Sequence, residues 1–265
     1  MNLRRETFGL ILMALIAAIT LIVVVGLDRI PQNPEYHDFS DSIGYFWLPN
    51  ALNVLSNIPF VVVGTYGLVW LFQNRANSLS IVKSNEIAYW IFFGGTTLVG
   101  LGSGYYHIAP NNETLVWDRL PMTVAFMAFY AIILCEFVSE KWFRLVVFPL
   151  LFFGVLSVFY WWISESQGVG DLRYYAVVQF FPMLTIPIIL LFFKPKFTLV
   201  SGYWVLLASY MLAKLLEHFD SQFHELFGIV SGHSIKHVLP AVGILYLLHI
   251  YKTRKLVTLR PDHVN

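Results

Sequence analysis

The sequence predicts an all-α integral membrane protein, and three observations carry that expectation. Hydrophobic residues make up 57% of the 265-residue chain and charged residues only 12%, about half the share usual in a soluble domain. Mean hydropathy is +0.66. Eight apolar segments, at 8–27, 50–73, 87–107, 119–137, 144–163, 173–193, 202–218 and 234–251, approach the roughly 20 residues that a helix needs to cross the hydrocarbon core. A net charge of +1 gives no footprint for nucleic acid or for an acidic partner. Cys135 is the sole cysteine, so no disulfide or thiolate metal site can form within the chain. A metal site would have to use His, Asp or Glu.

Span one, 8–27, could be taken for a signal peptide. Its apolar run is long, however, and Val25-Gly26-Leu27-Asp28 is a poor cleavage site, so it reads as an uncleaved anchor. The following loop, 28–49, is acidic through Asp28, Glu35, Asp38 and Asp41. Span three ends at Ser103 and His107. The short connection Ile108 to Trp117 leads back into span four, where Asp118 is placed as a helix N-cap with Pro121 soon after. Lys214 and Glu217, three apart near the end of span seven, suit a local ion pair. Span eight opens on Ser231-Gly232-His233-Ser234-Ile235-Lys236-His237. Pro59, Pro182, Pro187 and Pro240 fall within spans and should bend them. Trp47, Trp70, Trp142 and Trp162 fall near span ends, as in an aromatic belt.

Lysine and arginine placement orients the chain. With an inside N-terminus, twelve of the seventeen lie in inner segments, Arg4, Arg5, Arg75 and Arg260 among them. Four lie outside (Arg29, Arg119, Arg173 and Lys236), and Lys214 is within a span. Eight spans then put both termini in the cytoplasm.

Against this apolar background one constellation stands out. Ser103 and His107 are four apart, on one face of a helix. His233 and His237 are again four apart, and Asp118 returns to the same level. All five are expected at one depth, on the outer side. Each alone has an ordinary reading: an interfacial histidine pair, a small packing serine beside Gly102 and Gly104, an N-cap. Together, polar groups near hydrocarbon need a reason. Three imidazoles suit zinc, which in catalytic sites keeps three protein ligands and an open position. It lowers the pKa of a bound water to near 7. A carboxylate nearby can move that proton, and a serine hydroxyl can bond a developing oxyanion.

The S-x-x-x-H of Ser103 and His107, the aspartate after it and the closing H-x-x-x-H resemble the alkaline ceramidases. These belong to the CREST superfamily of membrane hydrolases, which includes the progestin and adiponectin receptors. Asn53-Val54-Leu55-Ser56-Asn57-Ile58 looks like the family's N-x-L-S-N segment. The resemblance covers about residues 35–250. It implies a seven-helix bundle, so span one is an extra N-terminal helix. It implies that His107, His233 and His237 bind Zn2+, with Ser103 and Asp118 catalytic beside it, and that the substrate is ceramide or a related N-acyl lipid drawn from the membrane. Animal members also bind calcium through acidic residues before and at their first helix. Here that helix start is Asn50, and Asp38 and Asp41 lack the spacing, so the loop reads as solvated acidic surface. The expected division is 1–34 for the extra helix and acidic outer loop, 35–251 for the catalytic bundle and 252–265 for a basic cytoplasmic tail.

Two other readings stay open. A receptor or lipid sensor of the adiponectin-receptor type would keep the metal site but show little turnover. A transporter using His107 and Asp118 as a proton relay would need polar residues along several spans, and the inner halves of spans three, four and eight are nearly all apolar. A rhomboid-type protease would need glycine at Leu101. For the remaining residues, the alternative to the Lys214–Glu217 ion pair is that Glu217 or Asp220 accepts the free N–H of a metal-binding histidine, and Arg119 could hold Asp118. His218 and His224 lie outside the pattern, and His249 sits at the far end of span eight.

Overall fold

The computed structural model describes residues 2–74 and 80–257. Arg75, Arg260 and the tail from 258 onward therefore lie outside the described residues. The fold is helical: α1 Asn2–Gly26, α2 Ala51–Leu55, α3 Ile58–Gln73, α4 Glu86–Ile108, α5 Asn112–Ile133, α6 Glu140–Phe143, α7 Val147–Ser166, α8 Arg173–Phe192, α9 Ser201–His218, α10 Asp220–Phe227 and α11 Gly232–Thr253. Among the described residues, seven stretches are long and apolar enough to cross a membrane, which fits an integral membrane protein. The eighth expected span is α9. Lys214, Glu217 and His218 fill its last turns and make it less apolar than the rest.

Two expected helix starts are corrected. The segment 50–73 breaks at Ser56 and Asn57 into α2 and α3, and Pro59 sits in the first turn of α3 instead of its interior. α5 begins at Asn112, capped by Asn111, whose side chain accepts from the Glu113 and Thr114 amides. Asp118 is thus two turns inside the helix and caps nothing. α5 continues through a π-helical turn at Leu134–Val138.

α4 packs between α3 and α5, α5 also lies against α7 and α8, and α11 lies against α9 and α3. α4 and α5 approach closely at Gly102, where any Cβ would collide with the Trp117 carbonyl. Gly232 has the same role where α11 starts against the Leu216 carbonyl at the end of α9. Both contacts sit at the end of the bundle that carries Ser103, Asp118 and His233. α1 packs against α8 from outside. Only 6% of its apolar window is buried, so it faces lipid. Arg173 ties it down by donating to the Val24 and Leu27 carbonyls at 2.9 and 2.5 Å, partners for otherwise unsatisfied groups at a helix C-terminus.

The opposite end is closed by a buried ion pair. Arg254 donates to both Glu136 oxygens at 2.9 and 2.5 Å, and the Tyr89 and Tyr203 hydroxyls donate to the same carboxylate at 2.5 Å each. Both charged side chains are 1% exposed. Glu136→Leu would leave the guanidinium buried without its counter-charge. The expected loss is about 3–5 kcal/mol, read as a lower thermal midpoint in detergent. An unchanged midpoint would contradict the buried pair.

Trp47 and Trp142 are exposed, as an aromatic belt requires, but Trp70 is buried and stacks on Tyr251 at 6.4 Å. It is a core residue.

Candidate metal centre and active site

Three buried imidazoles meet at the gap between the end of α4 and the start of α11. Ser231 caps α11 through the Ser234 amide, which sets the first turn so that His233 and His237 project on one face. His107, one turn beyond Ser103 at the end of α4, faces them. His233 Nε2 and His107 Nε2 are 3.4 Å apart. One nitrogen from each of the three rings lies within 4.8 Å of the others. A tetrahedral zinc with bonds of about 2.0–2.1 Å separates two of its ligand atoms by about 3.3 Å. The observed spacing therefore fits a shared divalent ion. Phe39, from the loop after α1, covers the cluster with its ring 4.7 Å from His107 and 4.4 Å from His233. His107 Nδ1 has no hydrogen-bond partner, so this imidazole is not held as an ordinary core histidine.

The break between α2 and α3 orients one imidazole. Ser56 Oγ donates to the Asn53 carbonyl at 3.0 Å and lies 2.8 Å from His237 Nδ1. With that donation made, the hydroxyl is placed to accept from Nδ1–H in the tautomer that carries its proton there. That tautomer leaves the Nε2 lone pair free for a metal. Asn53 in turn accepts from Ser234 at 2.8 Å. Ser56→Ala should weaken metal binding about 10–100-fold with the fold retained, measured by competition with a calibrated chelator. Unaltered affinity would remove Ser56 from the support of the site.

Glu217 and Asp220 do not take the alternative place behind the histidines. Glu217 accepts from Lys214 at 2.7 Å, Lys236 at 2.6 Å and the Tyr36 hydroxyl at 3.3 Å. The ion pair read from Lys214 and Glu217 is therefore present, with Lys236 added. Burial, with the Glu217 charge second, pushes the Tyr36 phenol well above its ordinary range, so it remains a donor. Asp220 accepts from the His233 backbone amide at 2.6 Å and from Ser40; neither carboxylate is bonded to an imidazole ring.

Ser103 from α4 and Asp118 from α5 face one cavity across the α4–α5 contact. Both are buried. With His237 they line a cavity of about 370 Å³. Its polar end holds Tyr36, Arg119, Lys214, Glu217 and Lys236, and its deep walls are Phe92, Phe129, Ile186 and Ile244. α8 and α9 form facing walls without packing closely on each other. One hydrogen bond, from Gln179 to the Tyr210 hydroxyl at 2.6 Å, links them.

Arg119 does not hold Asp118. It donates to Gln32 Oε1 at 2.6 Å and lies among the rings of Tyr36, Trp161 and Tyr175. Asp41 also departs from the expected solvated loop. It is 1% exposed, with Oδ1 accepting from the Ile43 amide and Oδ2 without a partner.

The ceramidase family model matches residues 47–264, most of the 265 residues. The chain belongs to the ceramidase family. No curated protein matches it. Ceramidase membership implies a hydrolase acting on a lipid amide, ceramide. The three-histidine cluster at the mouth of a mainly apolar cavity is compatible with a metal-assisted member of that family. Ser56 and Phe39 were not assigned roles from sequence. The N-x-L-S-N segment carried the resemblance, but only the helix break shows that its serine reaches His237.

Proposed function

We propose that this ceramidase is a zinc-dependent intramembrane amidohydrolase that cleaves ceramide or a related N-acyl lipid to a long-chain base and a fatty acid. The observation that carries the reading is the 3.4 Å approach of two imidazole nitrogens, with the third ring within 4.8 Å, beside a mainly apolar cavity. His107, His233 and His237 would hold the ion. When bound, zinc supplies a Lewis acid and lowers the pKa of water to near neutrality.

The protein's own groups account for the rest. The apolar walls take the acyl chain, and the loose α8–α9 seam gives lipid a sideways path. Asp118 accepts the proton of the attacking water. The protonated carboxyl then donates to Ser103 Oγ, which frees the serine hydroxyl to bond the oxyanion on the former carbonyl oxygen. On collapse, Asp118 delivers its proton to the departing amine nitrogen. The products are a fatty acid and an amine, and Asp118 is restored as carboxylate. Phe39 shields the histidines from bulk water.

The catalytic unit is proposed as 35–251, with 1–34 as an added anchor and outer loop and 252–265 as a tail. Arg5 bonds the Leu191 carbonyl at the end of α8, so α1 starts at the end opposite the histidines, where α11 finishes. Arg4, Arg5, Lys83, Lys194, Lys196, Lys252, Arg254 and Lys255 gather at that end. This supports a cytoplasmic placement of both termini and an exoplasmic active site.

The test is hydrolysis of a purified ceramide by protein in lipid nanodiscs, before and after chelation and zinc repletion. Release of fatty acid that follows the metal is expected. Stoichiometric metal with no release would favour a receptor or sensor instead.

A further inference from the structure

We infer that Arg119 forms a subsite for an anionic group on the amine half of the N-acyl lipid, so that the preferred substrate carries a carboxylate or phosphate beside the scissile amide. This rests on the reading of the cavity as the hydrolytic site.

Arg119 is 5% exposed. Arginine keeps its charge when buried, and a buried charge is costly unless it is paired. The other cations at the bundle interior are paired: Lys214 and Lys236 with Glu217, Arg173 with Asp171, Arg254 with Glu136. Arg119 forms no ion pair among the described residues. Its one side-chain acceptor is the neutral Gln32 amide oxygen, and its Nη1 is buried without a partner. The guanidinium lies 4.1 Å from the Trp161 ring and 4.7 Å from the Tyr175 ring. Aromatic faces ease desolvation of a cation, but they accept no N–H in the guanidinium plane. Trp161 Nε1 is a second buried donor without an acceptor. A buried cationic donor without an acceptor, on a side chain that lines the cavity, matches an anion with several acceptor oxygens.

The position assigns the group to one half of the substrate. Arg119 follows Asp118 in α5 and lines the same cavity, near Tyr36 at its polar end. The deep end is aromatic and aliphatic and suits the acyl chain. With the amide at Ser103 and Asp118, the amine half faces Arg119. Three cations, Arg119, Lys214 and Lys236, meet two carboxylates, Asp118 and Glu217, at this end, so the local balance also favours an anion.

Three amides with one acyl chain test this: N-dodecanoylethanolamine, N-dodecanoylglycine and N-dodecanoyl-O-phosphoethanolamine. Binding to His107→Ala protein in nanodiscs is measured first, where turnover plays no part. One anionic probe should bind at least about tenfold more tightly than the neutral one, the value of a hydrogen-bonded charge, and the glycine and phosphate arms identify the anion. Adding Arg119→Gln should bring the ratio near one. Arg119→Lys keeps the charge without the planar fork and should lower the ratio in part, which provides a test if the glutamine variant does not fold. Equal or tighter binding of the neutral probe with Arg119 intact overturns the inference, as does a preference that survives Arg119→Gln. If the preference holds but wild-type protein hydrolyses none of the three, the subsite stands and the amidohydrolase reading falls.

Discussion

His107→Ala should abolish ceramide hydrolysis, with a fall of roughly three orders of magnitude or more, because on the proposed mechanism it removes one of three ligands and with it the Lewis acid. His107 is the only imidazole of the cluster supplied by α4. Without it, His233 and His237 offer two ligands four residues apart on one helix, a weaker and more open pair. Metal content should fall in parallel, as elemental analysis of purified protein would show. The Glu136–Arg254 pair lies at the other end of the bundle, so the variant should remain folded in detergent. Retained stoichiometric metal together with hydrolysis within twofold of wild type would refute the assignment.

Asp118→Asn should separate binding from chemistry. The amide keeps the shape of the carboxylate and can still meet Ser103, but it cannot take a proton. The expected loss is about 10²–10⁴-fold in kcat, with KM and metal stoichiometry little changed. Ser103 should lose less on substitution by alanine, since one oxyanion donor is removed and the proton carrier remains. If Asp118→Asn alters KM alone, the carboxylate binds the head group and another residue carries the proton.

Much of this architecture was readable from the sequence because membrane burial leaves a strong signal. Spans two, five and six were placed within a few residues of the helical stretches Ala51–Gln73, Val147–Ser166 and Arg173–Phe192. The five candidate residues could be gathered at one end of the bundle because S-x-x-x-H and H-x-x-x-H fix faces of helices, and short loops fix depth. What the pattern could not give is direction around each helix and the identity of partners. Arg119 was placed against its neighbour Asp118, yet consecutive helical residues point about 100° apart, and the guanidinium turned to Gln32 and three aromatic rings. Asp118 was expected as a cap because the apolar run starts there. The helix starts earlier because Asn111 and Thr114 cap it in a polar stretch. Glu217 was read as the partner of Lys214, with a place behind a histidine as the alternative. The Lys214 pair is present, and Lys236 from α11 joins it. Long-range pairings of this kind have no local signature.

X-ray absorption at the zinc edge of purified protein tests the shared ion most directly. Three imidazole nitrogens at about 2.0–2.1 Å in wild type, falling to two in His107→Ala, are expected. A spectrum without zinc, or one whose imidazole count is the same in both proteins, would contradict a site built from α4 and α11 together.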